Sequence, residues 1–339
     1  MSANIDVRED GVVRMAHTSN IKPWWGIGNT ITDPSDPERT LNEAGMDFEY
    51  VVKTPLVRLE GAKLPLMKFP IGTAPSKFAR CIVVRDSDGK EEEIASCGSL
   101  WKAHQPKDII EFYRQVSQKM ELRLETAGSL CNQTKIWAMA KCPKEFYIID
   151  DEYHPYVSFI TGVTMATRVL GHTDAIVCHN TMQLALDSGV KQKYTHHSAL
   201  DVEEVGEKMG IISFNESIDN LNKLSVCTRL DAKAYFKELL LGVNRKQHQP
   251  DWYGDYDNIK YRHFLENEGM LFDSYLNAPG QYLKARKGTA LGALNAVTYF
   301  ADHVRRNGKN GDQGRANSIM DGQLGILKKQ AYELALKAA

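Results

Sequence analysis

Residues 122–141 read LRLETAGSLCNQTKIWAMAK and hold the clearest structural signal in the chain. Leu122 and Leu124 alternate with charged residues, residues 131–134 make a polar turn, and alternation returns across residues 135–140. Side chains two positions apart lie on the same face of a strand. The stretch therefore predicts two antiparallel strands joined by a turn, at the centre of a sheet-based core.

Neighbouring stretches extend this sheet. Residues 78–85 and 93–97 flank the sequence DSDG, whose Asp-Gly step is typical of a hairpin. Residues 106–120 place apolar side chains at helical spacing and predict a helix across the sheet. A second helix is predicted at about 178–186, ended by Gly189. Further strands are predicted at 48–59, 146–149, 156–160 and 164–170.

The two ends of the chain differ from this core. Residues 1–35 are interrupted by proline and glycine and predict an extended arm, after which Asp36 and Pro37 start a short helix that ends at Gly45. Residues 201–339 are mostly helical in pattern. The sequence thus predicts an α+β fold, with an antiparallel sheet core and crossing helices. Its parts are an N-terminal arm and short helix at 1–47, the strand-rich core at 48–200 and a helical C-terminal region at 201–339.

Composition indicates the class of protein. Of the 339 residues, 42% are hydrophobic and 25% are charged, which is typical of a globular chain and unlike a disordered or fibrous one. No stretch approaches the roughly 18 apolar residues of a membrane helix, and the first residues do not resemble a signal sequence. We expect a cytoplasmic protein with no membrane partner.

Six cysteines are scattered through the chain without a close Cys-x-x-Cys pair. Structural zinc sites usually show tight ligand spacing, so the pattern favours buried free thiols over a zinc site or disulfides. The six are Cys81, Cys97, Cys131, Cys142, Cys178 and Cys227.

Charge is distributed unevenly along the chain. Residues 281–339 hold ten Lys or Arg and four acidic residues, a net charge of +6, and residues 1–280 carry a net charge of −7. Basic side chains displace counterions from phosphates, so a basic C-terminal region is compatible with a polyanionic partner. A solvated helical face is the competing explanation, and for any single residue it is slightly the better one.

Several segments together resemble a widespread family of phage and plasmid-like proteins that is defined by a domain of unknown function. They are residues 23–28 (PWWGIG), 101–105 (WKAHQ), 124–130 (LETAGSL), 177–182 (VCHNTM) and 295–298 (NAVT) with Asp302 and His303. Their order and spacing match along the length of the chain. The resemblance implies a mobile-element setting and supplies no catalytic residues, because the family has no agreed activity.

The order of predicted elements also resembles a second group of proteins. A helix, an antiparallel hairpin with further strands, and a closing helix across residues 106–186 look like the core of ring-forming single-strand annealing proteins, the RecT, Redβ and Erf group. Fold analogy is an associational warrant for function. This likeness therefore implies strand annealing as an expectation only.

A candidate nucleic-acid-binding face lies on the predicted strand at 135–141. Its period of two places Lys135, Trp137, Met139 and Lys141 on one side of the sheet. Lysines at phosphates and an indole against a base would suit a single strand, and such stacking contributes about 1–3 kcal/mol per base. The competing and commoner arrangement buries Trp137 and Met139 in the core, with the lysines emerging at the strand ends. Further candidates for nucleic-acid contact are Lys102, Arg123, Arg168, Arg305, Arg306, Lys309 and Arg315.

Trp24 and Trp25 are adjacent indoles in the predicted arm. Two exposed indoles would be an aggregation liability, so packing on the protein's own core is the first expectation. The alternative is docking on a neighbouring subunit, which would make the pair an oligomerisation contact.

The common catalytic motifs are missing from the sequence. It has no Gly-x-x-x-x-Gly-Lys-Ser/Thr loop, and residues 26–28 (GIG) lack the third glycine of a dinucleotide-binding turn. Residues 178–180 (CHN) are adjacent, whereas a cysteine nucleophile and its partners usually converge from distant segments. The carboxylates at 150–152 and 251–257 have no lysine at nuclease-like spacing after them. We expect no catalytic residue, no cofactor and no metal.

These observations predict a non-enzymatic protein that binds single-stranded DNA and promotes annealing in phage or plasmid recombination. We expect a homo-oligomer, with a phage exonuclease or a single-strand binding protein as candidate partners. The rival prediction is a protein-binding module that inhibits or recruits a host defence or replication factor through the Asp-rich aromatic loop at 251–257. A third prediction is an unfamiliar enzyme, whose sign would be several polar residues converging in one pocket.

Overall fold

The computed structural model shows a mixed α/β protein whose strands precede most of its helices. It describes residues 6–8, 11–18, 28–33, 36–58, 73–75, 79–143, 145–163, 165–175, 180–182, 192–197, 201, 215–242, 250–305 and 323–339. Among these residues, no helix is both long and apolar enough to cross a membrane.

A large sheet of nine strands organises the molecule. Its strands are β1 (Met15–Thr18), β2 (Asn29–Ile31), β8 (Arg123–Leu130), β9 (Lys135–Lys141), β10 (Phe146–Ile148), β11 (Asp151–Gly162), β12 (Met165–Ala175), β13 (Asn180–Met182) and β14 (Gln192–Tyr194). Their order is β13-β12-β11-β9-β8-β1-β2, with β10 beside β11 and β14 beside β12. β1 and β2 are parallel, and the other described pairs of this sheet are antiparallel.

Five strands between β2 and β8 form two smaller sheets. They are β3 (Glu49–Lys53), β4 (Leu56–Arg58), β5 (Thr73–Pro75), β6 (Ala79–Arg85) and β7 (Glu91–Gly98). β3, β6 and β7 form one antiparallel sheet, and β4 pairs with β5.

Seven α-helices lie within the described residues, five of them after the last strand. They are α1 (Pro37–Glu43), α2 (Pro106–Met120), α3 (Asn215–Val226), α4 (Ala232–Leu241), α5 (Ile259–Asn277), α6 (Ala290–Tyr299) and α7 (Gln323–Ala338). A π-helical turn, Phe300–Val304, extends α6. The predicted combination of an antiparallel sheet with a helical C-terminal region is confirmed.

Several elements occur where the sequence predicted them. The Asp36 carboxylate caps α1 by accepting from the Arg39 amide at 3.1 Å, and Pro37 is the first helical residue. α2 and β9 have the predicted limits, and the hairpin of β6 and β7 turns at residues 86–89. The five described cysteines are free thiols, as expected, but of these only Cys81, Cys142 and Cys227 are buried, whereas Cys97 and Cys131 are half-buried.

Other elements differ from the prediction. Residues 180–182 form β13, so the helix predicted at 178–186 is wrong there, and the rest of that stretch lies outside the described residues. β11 begins at Asp151 and runs through Pro155, a residue that ordinarily argues against a strand interior. Part of the predicted arm belongs to the sheet, because β1 pairs with β8 and places Met15 opposite Gly128. A β-carbon at Gly128 would lie 2.8 Å from the Arg14 carbonyl oxygen.

One face of the large sheet packs against α2 to form the first hydrophobic core. Phe112 of α2 lies 5.4 Å from Phe159 of β11, measured between ring centroids. The Tyr113 hydroxyl reaches the carbonyl oxygens of Ala138 and Val157, each at 2.8 Å. This buried phenol therefore ties α2 to two neighbouring strands at once.

A second core joins the C-terminal helices to the start of β11. Asp151 and Arg286 are fully buried and form a two-bond ion pair, with N···O distances of 2.5 and 2.6 Å. Asp150 accepts from the backbone amides of Lys284 and Ala285. These two carboxylates therefore help to hold the helical region on the sheet, and both already have hydrogen-bond partners.

Candidate ligand-binding edge of the large sheet

The face of β9 expected to hold DNA is largely buried along its length. Trp137 is 3% exposed and Lys135 is 9% exposed. Trp137 packs with Met15, Leu130 and Ile160 in a third apolar cluster. The expectation that the Trp137 ring stacks on a base is therefore wrong. The physical reason is that Met15, Leu130 and Ile160, from three other strands of the sheet, pack against the ring.

Polar side chains converge at one end of this same face. Antiparallel register places Lys141 of β9 opposite both Arg123 of β8 and Tyr156 of β11. His154 and Glu152 precede Tyr156 at intervals of two along β11 and so share its face. We call the following seven residues the ionisable edge: Arg123, Glu125, Lys141, Glu145, Glu152, His154 and Tyr156.

The imidazole of His154 is the meeting point of the ionisable edge. Its Nε2 lies 2.8 Å from a carboxylate oxygen of Glu152 and 3.1 Å from one of Glu145. The Lys141 ammonium lies 3.4 Å from the same nitrogen. The His154 side chain is 7% exposed, whereas those of Glu145 and Glu152 are 49% and 31% exposed. The buried Nε2 of His154 thus lies beside charged groups that are partly exposed to solvent.

Acidic groups dominate the electrostatics of the ionisable edge. Burial raises the pKa of Glu125. The hydrogen bond that its carboxylate accepts from the Tyr156 hydroxyl at 2.9 Å acts in the opposite direction and offsets only part of this rise. A hydrogen bond with Glu152, followed by the charge of Lys141, lowers the pKa of Glu145. The negative charge of Glu152 raises the pKa of Tyr147, its cross-strand partner. The edge therefore has three carboxyl groups close to two cations.

Two exposed side chains flank these buried groups. Arg123 is exposed at the start of β8. Tyr147 of β10 is 60% exposed and lies opposite Glu152, on the face that His154 shares. The ionisable edge thus has a solvent-accessible cation, Arg123, and is flanked by a solvent-accessible aromatic ring, Tyr147.

Lys102 lies in a segment that has a structural role. Its backbone amide donates to the His196 carbonyl at 2.6 Å, and its carbonyl lies 2.8 Å from Nδ1 of His196. The His196 ring stacks between Trp101 at 4.8 Å and His104 at 4.3 Å, measured between centroids. The WKAHQ segment therefore packs against the sheet, and the Lys102 side chain points to solvent.

The remaining predicted contact residues do not join the ionisable edge. Arg168 is half-buried and lies opposite Ile160, beside the Trp137 cluster. Arg305 is half-buried after α6, and burial lowers its pKa. Five others lie outside the described residues: Trp24, Trp25, Arg306, Lys309 and Arg315.

The carboxylates singled out in the sequence mostly have other roles. Asp255 accepts from the Asp257 amide at 3.0 Å and so shapes its own turn. Of the residues at 150–152, Glu152 alone belongs to the ionisable edge. The sequence carried one signal, the spacing of two between Glu152 and His154, but the strand that makes this spacing meaningful was not predicted. Glu145 gave none, because its position depends on the pairing of β10 with β11.

A family model described as a domain of unknown function (DUF932) matches residues 93–323, which is most of the chain and includes the whole ionisable edge. No curated protein and no solved structure matches the sequence. The predicted membership of an uncharacterised domain family is confirmed, and its mobile-element setting stays a prediction.

Proposed function

We propose a function from the geometry of the ionisable edge. The chain itself belongs to the DUF932 family of unknown function. The protein binds single-stranded DNA, with backbone phosphates at Arg123 and Lys141 and a base against Tyr147. The observation that carries the proposal is the placement of these three side chains on one face, where Arg123 and Tyr147 are exposed.

The chemistry of the three side chains suits a single strand. Arginine and lysine neutralise phosphates and release counterions, whatever the base sequence. Stacking of a base on an exposed ring contributes about 1–3 kcal/mol and also tolerates any base. Tyr147 takes the role first expected of Trp137, because its ring is accessible and that of Trp137 is buried.

Annealing of complementary strands is the activity we propose for the bound DNA. Annealing requires a scaffold that holds backbones and leaves base edges free, and it involves no covalent step. Homo-oligomerisation would align several such edges along one strand. The setting in phage or plasmid recombination, with an exonuclease or a single-strand binding protein as partner, rests on the sequence resemblances alone.

A salt titration with a fluorescent oligonucleotide tests the proposal. Binding should weaken with salt, with a slope of about 1.4 in a double-logarithmic plot if two phosphates are neutralised. Arg123→Gln should lower affinity for all sequences alike and reduce the slope by about 0.7. Arg262→Gln, which removes an exposed arginine from α5, is the matched control and should bind as the unmodified protein does. Absence of binding at low salt would refute the proposal.

Exposed apolar groups near α5 favour the rival function, a protein-binding module. Tyr256 and Ile259 are 69% and 60% exposed at the turn that precedes α5 and at its first residue. Such side chains suit a protein contact. Pull-down with the chain, with and without nuclease, separates the two functions. A host factor that is retained after nuclease and lost in Tyr256→Ser would support the rival.

A further inference from the structure

We propose that Glu145, Glu152 and His154 bind one divalent cation of the first transition row, for which Mn²⁺ is the probe. One ligand atom from each residue lies within 4.8 Å of the other two. Carboxylate oxygens and an imidazole nitrogen together form a ligand set that suits Mn²⁺ and its neighbours. The site goes beyond DNA binding, and its geometry stands independently of that proposal.

His154 supplies evidence that acidic residues alone would not. Its side chain is nine-tenths buried, and among the described atoms its Nδ1 has no hydrogen-bond partner. Burial of an unpaired polar nitrogen costs free energy. The fold nevertheless holds the ring with Nε2 directed between two carboxylates. Nε2 is thus a buried nitrogen ligand whose direction is fixed between two oxygen ligands.

Without a metal ion, Nε2 can donate its proton to either carboxylate, and the Lys141 ammonium, 3.4 Å from Nε2, supplies further positive charge beside them. A divalent cation would instead accept the lone pair of Nε2 and one oxygen from each glutamate. Lys141 is therefore the internal competitor of the metal ion.

A bound divalent cation would change how the ionisable edge interacts with anions. The two glutamates would be neutralised, and Arg123, which lies opposite Lys141, would remain exposed. Three protein ligands leave coordination positions for water or for a phosphate oxygen. The cation would therefore favour the same class of ligand that Arg123 does.

Titration of the full chain with Mn²⁺ alone, followed by electron paramagnetic resonance of the free ion, tests the site without DNA. We expect one bound ion per chain. Glu152→Gln should lower the affinity by at least about 10-fold. Lys141→Gln should raise the affinity, because it removes the competing ammonium. Glu93→Gln is the matched control, since Glu93 is exposed in β7 and belongs to an acidic run without histidine.

Three results would overturn the metal site. They are no bound ion at millimolar Mn²⁺, equal losses in Glu93→Gln and Glu152→Gln, and weaker binding in Lys141→Gln. Circular dichroism and thermal unfolding confirm that each variant is folded. Lys141→Gln also separates this inference from the proposed function, because it should strengthen Mn²⁺ binding and weaken DNA binding. Each account can therefore fail while the other survives.

Discussion

Gly292 shows how closely single residues pack where α6 begins. Its amide donates to the Thr289 hydroxyl at 3.1 Å, and its carbonyl accepts from Gln281 Nε2 at 2.9 Å. A β-carbon at this position would overlap the carbonyl oxygen of Arg286. The absence of a side chain is therefore what lets the preceding turn close onto α6.

Gly292→Ala should destabilise the protein by about 1–3 kcal/mol, because the added methyl group forces backbone atoms apart. Gly269→Ala is the matched control in α5, where a β-carbon meets no atom within 4 Å. That control should stabilise the helix by up to about 1 kcal/mol. Urea unfolding measures both free energies. Equal effects in the two variants would contradict the close packing at Gly292.

Glu125 shows how burial affects a single charge. Burial raises its pKa in the folded protein, so folding favours the protonated carboxyl. Its contribution to stability is complete below about pH 4, the ordinary carboxyl range, and is lost as the pH rises through the folded value.

Glu125→Gln should therefore raise the thermal unfolding temperature at pH 7 and leave it unchanged at acidic pH. The amide does not titrate, and its oxygen can still accept from the Tyr156 hydroxyl. The difference between variant and unmodified protein should appear as the pH rises above the ordinary carboxyl range and should level off once the pH exceeds the folded-state pKa of Glu125. A variant that is less stable at pH 7 would show that the carboxylate stabilises the fold.

The helices and strands differ in how well the sequence predicted them. The limits of α2 and β9 followed from regular periodicity, and Asp36 with Pro37 marked α1. The early part of β11 was missed because Pro155 interrupts its pattern. Tertiary pairing outweighs that local preference, since β11 pairs with β9, β10 and β12 along its length.

The Asp151–Arg286 ion pair is a fully buried polar link between β11 and the segment that precedes α6. Asp151→Asn should destabilise the protein by about 3–5 kcal/mol, because it leaves the Arg286 guanidinium buried without its counter-charge. The double variant Asp151→Leu with Arg286→Met should lose much less, since neither charge remains. Chemical unfolding of both variants measures this. An equal loss of unfolding free energy in the two variants would mean that the changed side-chain shape, and not the isolated charge, causes the destabilisation.

At the scale of the whole molecule, two cores hold a sheet whose polar end carries the candidate site. α2 covers one face, the C-terminal helices hold the start of β11, and the ionisable edge lies on the opposite face. The sequence predicted Lys141 and Arg123 as parts of a site. It could not predict their convergence with Glu145 and His154, which depends on cross-strand register.

Photo-crosslinking with a single-stranded oligonucleotide carrying 5-iodouracil tests the central claim most directly, because the reagent reports which exposed ring contacts a base. We expect a crosslink at Tyr147 that weakens in Arg123→Gln and as the salt concentration rises. Tyr256 and Tyr282 are also exposed, at 69% and 75%, and serve as internal comparisons. Crosslinks at those two tyrosines with none at Tyr147 would contradict the placement of DNA on the ionisable edge.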